Sequence, residues 1–357
     1  VPHVEFRRLS KTYDDGTPAV IDLDLAVHNG EFLCILGPSG CGKSSTLRML
    51  AGLEAISSGD ILLDGERIND RPPQARDMAM VFENYALYPH LRVFDNIAMP
   101  LAARRLPKRE IRARVQQVAE TLQIADLLAK RPNTLSGGQR QRVALGRAIV
   151  RTPRMFLMDE PLGHLEAYLR AQLRTEVRRL HERLGATTVY ITHDQEEAAA
   201  ISDRIAVMSA GRLQQIGSLL DLLDHPVNRF VAEFIGDLPI NVFAAPRSGD
   251  GVALGATVLP LPPGVAARLS GGTPALGIRP QDIRVGDADG TALPAQVALI
   301  EPQGDHSVVV ADTPAGRVSA VAPSQGAPLV GAQVGLHLDR TRLHLFAPDG
   351  TTVLHGL

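Results

Sequence analysis

Gly37-Pro38-Ser39-Gly40-Cys41-Gly42-Lys43-Ser44 is the stretch on which the fold turns. It fits the phosphate-binding pattern G-x-x-x-x-G-K-[ST] at every fixed position. The apolar run Phe32–Leu36 precedes it and reads as a buried strand, and Ser45–Leu53 follows with helical spacing. A loop in this context wraps a polyphosphate with backbone N–H groups, and the helix behind it points its positive end at the charge. Lys43 adds a cation for the outer phosphates, and the Ser44 hydroxyl suits Mg²⁺. The chain has only four lysines, Lys11, Lys43, Lys108 and Lys130, so a lysine at this position is not incidental. These residues predict a site for ATP or GTP.

Outward from the loop, apolar strand candidates recur at Met78–Phe82, Met155–Met158, Thr188–Thr192 and Ile205–Met208. Helical spacing covers Lys108–Lys130 and Leu165–Leu184, the latter with an apolar stripe of Leu165, Leu169, Leu173, Val177, Leu180 and Leu184. Alternation of this kind predicts a mainly parallel α/β core. Charge then thins out: Phe243 to the end holds 16 of the 76 charged residues and no lysine, which marks a second domain. Its runs Val252–Leu259, Ala275–Ile278, Ala295–Ile300, Ser307–Ala311 and Gln333–Asp339 read as strands of a small β-barrel, with Asn228–Asn241 as the connection.

Composition excludes several classes. The net charge is -2, so no basic excess points to nucleic acid. No apolar run reaches the length of a membrane span, and Val1–Ser10, with Glu5, Arg7 and Arg8, lacks a signal-peptide core. A disulfide between Cys34 and Cys41 would distort the phosphate loop, which favours a reducing compartment. Cys41, near a helix N-terminus and Lys43, is expected to be a reactive thiolate that ATP protects.

Two further motifs name the chemistry. Met155-Phe156-Leu157-Met158-Asp159-Glu160 is an apolar strand ending in two carboxylates. The first is suited to Mg²⁺ and the second to activating water. Leu135-Ser136-Gly137-Gly138-Gln139 opens a helical run and forms another anion cradle. One nucleotide does not need two cradles, so the second is expected to close on a nucleotide held by another subunit.

With these motifs in their order, the first 240 or so residues resemble the ATP-binding subunits of ABC transporters. The resemblance implies a phosphate-loop ATPase domain over 1–235, with a mostly parallel sheet and a helical subdomain at about 84–150. A small all-β, OB-like regulatory domain over 236–357 would follow. It implies a head-to-tail dimer sandwiching two ATP molecules. Residue by residue, Tyr13 matches the aromatic that stacks on adenine. Gly37, Pro38, Ser39, Gly40, Cys41, Gly42, Lys43, Ser44 and Ser45 match the phosphate loop, with Ser44 and Asp159 toward Mg²⁺. Glu160 matches the catalytic base and His193 the switch histidine. Ser136, Gly137, Gly138 and Gln139 match the signature presented to the partner's ATP.

Asn84-Tyr85-Ala86-Leu87-Tyr88-Pro89-His90 resembles the segment that grips the membrane partner in importers of the maltose type, and Gly277–Ile283 resembles an element of that group's tail. The resemblance implies an importer ATPase at the cytoplasmic face of the membrane, joined to two permease subunits and indirectly to an external solute-binding protein. It implies a carbohydrate or related solute, with polyamine, metal and oxyanion importers as alternatives.

Two departures stand out. Glu83 occupies the place of a glutamine that touches Mg²⁺ and water, and Gly163-His164-Leu165-Glu166 replaces Ser-x-Leu-Asp. An ionised glutamate only accepts hydrogen bonds and adds charge beside a phosphate, so Glu83→Gln is expected to raise turnover. A weakly catalytic partner subunit of a heterodimer is the competing reading of these departures.

Overall fold

Every residue of Phe32–Leu36 is buried, and the strand lies inside a six-stranded sheet, as its apolar run predicts. The computed structural model describes residues 3–82, 85–151, 153–163, 167–255, 257–269, 271–288 and 292–356, with the side chain of Leu169 left out. The chain divides into two units, Val1–Ser218 and Leu219–Leu357.

In the first unit the strands are β1 (Val4–Thr12), β2 (Pro18–Val27), β3 (Phe32–Leu36), β4 (Ser58–Leu63), β5 (Glu66–Arg67), β6 (Met78–Val81), β7 (Met155–Asp159), β8 (Thr187–Thr192), β9 (Arg204–Ser209) and β10 (Arg212–Gly217). The helices are α1 (Lys43–Ala51), α2 (Pro73–Arg76), α3 (Val93–Ala103), α4 (Lys108–Thr121), α5 (Gly137–Ile149), α6 (Ala167–Leu184) and α7 (Gln195–Ile201). The main sheet runs β10-β9-β3-β8-β7-β6, parallel except for β10. A second, antiparallel sheet, β2-β1-β4-β5, shares its core: Phe6, Leu23 and Ile61 pack in one cluster with Leu33, Leu47 and Ile191. Sequence reading missed β1 and β2, whose alternation is broken by register shifts along their pairing.

α1 is held at its far end by Arg76, which is buried and donates to the Met49 and Leu50 carbonyls at 2.7 and 2.8 Å. A cation there satisfies orphan carbonyls and opposes the helix dipole. Between β6 and β7 lie α3, α4 and α5, the expected helical part. α4 stops at Thr121, well short of Lys130. Gln123 turns left-handed at φ 55°, the Ile124 N–H reaches the Ala119 carbonyl at 2.8 Å, and the Gln123 N–H reaches Glu120 at 3.1 Å. That is a Schellman stop built without glycine. On α6, Leu173, Val177 and Leu180 are buried as expected. Leu184, at the helix end, is 39% exposed and does not belong to the stripe. Leu165 and the Leu169 side chain lie outside the described residues.

The second unit opens with two short helices, α8 (Leu219–Asp224) and α9 (Arg229–Phe234), and continues as strands. These are β11 (Asn241–Ala244), β12 (Arg247–Ser248), β13 (Gly251–Leu254), β14 (Thr257–Pro260), β15 (Ala275–Ile278), β16 (Ile283–Gly286), β17 (Leu293–Pro302), β18 (His306–Thr313), β19 (Gly316–Pro323), β20 (Gln333–Leu338), β21 (His344–Phe346) and β22 (Thr352–His355). They form sheets ordered β11-β15-β21-β22, β12-β13-β14 and β16-β20-β17-β18-β19, all antiparallel. The run Val252–Leu259, read as one strand, is two: Gly255, at φ 60°, lies in the turn between the paired strands β13 and β14.

The division falls upstream of the expected 235/236 boundary. Ala232 of α9 packs with Ile240 and Phe346, and Arg279 donates to the Leu223 and Ile235 carbonyls, so 219–235 belongs with the strands. Asn241 closes an edge: its amide donates to the Ser319 carbonyl at 2.8 Å and its oxygen accepts the Ser319 N–H at 2.8 Å. A side chain thus satisfies part of the β19 ladder that no strand covers.

Candidate active site

Parallel register brings the chemistry to one edge of the main sheet. Leu36 of β3 pairs with Thr192 of β8, and Asp159 of β7 pairs with Ile191. The residues that follow these strands, Gly37, Glu160 and His193, therefore emerge side by side at the carboxyl ends, where open α/β sheets bind ligands.

The phosphate loop is shaped by close approach. A Cβ on Gly37 would lie 2.3 Å from the Met208 carbonyl oxygen, and one on Gly42, at φ 101°, would lie 2.2 Å from that of Ala19. Only glycine fits either position. The Lys43 ammonium is buried and bridges the Gly37 and Pro38 carbonyls at 2.8 and 3.0 Å, while Pro38, Ser39 and Gly40 stay exposed at the tip. The Ser44 hydroxyl donates to Asp159 Oδ1 at 3.0 Å. Tyr13 is 39% exposed, and its hydroxyl meets Ser45 Oγ at 2.8 Å, with the Lys11 ammonium 5.1 Å from the ring centroid.

Glu160 follows β7 in the left-handed region, at φ 45°. Its N–H donates to the Ile191 carbonyl at 3.0 Å, and its carbonyl accepts from Gly163 at 3.2 Å. An uncommon backbone fixed from both sides aims the side chain, and strain of this kind concentrates at working sites. Glu160 Oε2 lies 2.8 Å from His193 Nδ1. Thus Lys43, Ser44, Asp159, Glu160 and His193 share one sheet edge, with Tyr13 and Ser45 beside it.

The Ser136–Gln139 turn forms a capping box at the start of α5: Ser136 Oγ accepts the Gln139 N–H at 3.3 Å, and Gln139 Oε1 accepts the Ser136 N–H at 3.0 Å. These bonds stay within the turn and do not reach the phosphate loop. Gly138 is buried and Ser136 exposed, so the turn faces outward. Glu83, Asn84 and His164-Leu165-Glu166 lie outside the described residues.

One expectation reverses. Cys41 is only 3% exposed, because its sulfur fills the space over Gly37, 2.7 Å from where a Cβ would sit. Burial pushes its thiol up, against the pull of Lys43, so Cys41 is not an activated thiolate. Cys34, fully buried, is also pushed up by desolvation.

Sequence reading missed the supports of the site. Asp194 caps α7 by accepting the Glu197 N–H at 3.1 Å, and Arg170 of α6 donates to its other oxygen at 2.7 Å. The signal was present as Asp followed three residues later by Glu before an apolar run. The segment Tyr85–His90 is also braced. Arg147 donates to the Tyr85 and Ala86 carbonyls at 2.8 Å and lies over the Tyr88 ring at 5.4 Å. Buried Asn96 accepts the Tyr88 N–H at 2.8 Å. Beside it opens a cavity of about 510 Å³ lined by Phe82, Ala86, Tyr88, Met99, Arg104 and Arg147.

Residues 20–163 match the family model of the ABC transporter, and 276–346 match that of the TOBE domain. The sn-glycerol-3-phosphate import ATP-binding protein UgpC of Bordetella avium is 42% identical over 99% of both chains. The osmoprotective compounds uptake ATP-binding protein GgtA of Synechocystis sp. is 49% identical over 88% of both. The chain belongs to the ATP-binding subunits of ABC importers. Among solved structures, cbiO1 from Clostridium perfringens, part of the ABC transporter complex cbiONQ, superposes with a TM-score of 0.58 at 28% identity, over 62% of this chain and 90% of that one. The ATP-binding cassette MJ0796, a dimer bound to ADP and Pi, gives 0.55 at 29%, over 60% and 98%. This importer subunit is an ATPase: it binds nucleotide and couples hydrolysis to solute uptake through membrane subunits. Among the described residues no helix is long and apolar enough to cross a membrane itself.

Proposed function

We propose that this ATPase hydrolyses ATP with Mg²⁺ at the edge formed by β3, β7 and β8. The convergence of Ser44 with Asp159 and of Glu160 with His193 carries the reading. The paired Ser44 and Asp159 oxygens would hold Mg²⁺, a hard cation that would supply charge stabilisation to the phosphates. The Gly37–Ser45 loop and Lys43 bind the phosphates, and Tyr13 supports the base. Glu160 accepts the proton of the attacking water, and His193 orients Glu160 and reaches toward the terminal phosphate. Catalysis here is mainly positioning and charge stabilisation.

The outward-facing Ser136–Gln139 turn supports a head-to-tail pairing of two copies, each presenting the turn to the other's nucleotide. The braced segment Tyr85–His90 and its cavity support a docking place for permease subunits at the cytoplasmic face of the membrane, with an external solute-binding protein upstream. The named relatives import sn-glycerol-3-phosphate or take up osmoprotective compounds, which supports a polyol or its phosphate as the solute beside the carbohydrate that the resemblance implies.

Glu160→Gln tests the hydrolytic reading. The variant is expected to bind ATP normally while turnover falls by ~10²–10⁴ and closed dimer accumulates. Near-normal turnover would remove Glu160 from the role. For the solute, the intact complex is screened for compounds that stimulate its ATPase. Stimulation by polyamines or oxyanions alone would overturn the sugar reading.

A further inference from the structure

His193 stands in a turn that is tied on both sides. Before it, the Thr192 hydroxyl donates to Glu197 Oε2 at 2.8 Å and accepts the Asp194 N–H at 3.0 Å. After it, the Asp194 carboxylate accepts from the Glu197 N–H and from Arg170. Tyr190 donates to the same Glu197 oxygen at 2.8 Å. Glu197 itself is 1% exposed, and Arg170 Nε lies 3.8 Å from its Oε1.

A buried carboxylate is costly, and an apolar side chain would pack α7 on the sheet at less expense. What the carboxylate supplies, and an apolar side chain cannot, is an acceptor. With Glu197 accepting, the Thr192 hydrogen is committed to it, and the Thr192 lone pair is left for the Asp194 N–H. The relay Asp194 N–H to Thr192 to Glu197 thus has one direction and ties together the two residues that flank His193. We propose that Glu197 is a positioning residue that, through the Thr192 hydroxyl, sets the turn holding the His193 imidazole against Glu160. It rests on reading Glu160 and His193 as the hydrolytic pair.

Tyr190 provides the internal control, because it bonds the same oxygen without touching the turn. Steady-state ATP turnover, affinity for a fluorescent ATP analogue and thermal unfolding are measured on the full chain. Thr192→Val is expected to lower kcat tenfold or more with KM and nucleotide affinity within twofold. Tyr190→Phe is expected to keep kcat within twofold while lowering the unfolding temperature about as much. Glu197→Gln, which keeps an acceptor, is expected to recover most of the activity that Glu197→Ala loses. Equal kcat in Thr192→Val and Tyr190→Phe would overturn the proposal, as would full activity in Glu197→Ala. His193→Ala separates the two layers. If it loses turnover while Thr192→Val does not, the positioning role fails alone. If it keeps turnover, the reading of the pair fails and takes this proposal with it.

Discussion

At the residue scale, neighbours far away in the chain decide what a side chain can do. Cys41 sits two residues from Lys43 at the start of α1, an arrangement that favours a thiolate by charge alone. Burial opposes it and prevails, pushing the thiol up. Maleimide is therefore expected to modify the native protein slowly at neutral pH, with rapid labelling only after unfolding; thiol-labelling kinetics check this. Gly42 is governed by a similar contact. Its φ of 101° and the Ala19 carbonyl oxygen, 2.2 Å from where a Cβ would sit, leave no relaxed position for a side chain. Gly42→Ala is expected to lose on the order of 2 kcal/mol or more of stability and to weaken nucleotide binding, read by chemical denaturation and by titration with ATP.

At the scale of elements, one short motif serves two purposes. Leu135-Ser136-Gly137-Gly138-Gln139 starts α5 through the reciprocal Ser136 and Gln139 bonds, and it leaves the Ser136 side chain exposed. The two purposes separate by substitution. Ser136→Ala removes the cap and is expected to cost about 1 kcal/mol, whereas Ser136→Gly costs only a few tenths. Both remove the hydroxyl, so both are expected to lower turnover alike. Denaturation and ATPase measurements on the pair check this, since turnover that tracked stability would leave the hydroxyl a cap and nothing more. This element was legible from sequence because a capping box lies within four consecutive residues. The end of α4 was not, because Gln123 adopts a conformation usually given to glycine.

At the scale of the molecule, the second unit carries a pH dependence of its own. His344 is buried and lies 3.0 Å, Nδ1 to Nδ1, from His355, with His225, Arg279 and Asp224 around it. Burial first, then the His355, Arg279 and His225 charges, push the His344 pKa down to about 4, with Asp224 opposing. His355 is also lowered, by burial and by His225. A histidine held below its unfolded value favours the neutral state, so its contribution is present above about pH 6.5 and is lost as pH falls toward 4. Loss of that contribution from His344 is on the order of 3 kcal/mol by pH 4. His344→Phe is expected to flatten the stability profile between those limits, as seen by denaturation at stepped pH. The division at Ser218 leads to a further expectation. A chain ending there is expected to fold and bind ATP, and an insoluble product would show that the units depend on each other.

The class of chemistry is written in local motifs. The phosphate loop, the strand ending in Asp159-Glu160 and the Leu135–Gln139 turn each act through backbone amides, caps and side chains a few residues apart, so their meaning survives without coordinates. Which of them meet depends on how the chain folds back on itself. Ser44 and Asp159 are 115 positions apart, and Glu160 and His193 are 33 apart, yet strand register brings each pair within hydrogen-bonding distance. The same folding buries Cys41, braces the turn of His193 with Arg170 and Glu197, and packs residues 219–235 with the strands after them. Burial and register sum over neighbours from the whole chain, and no local window of sequence contains that sum.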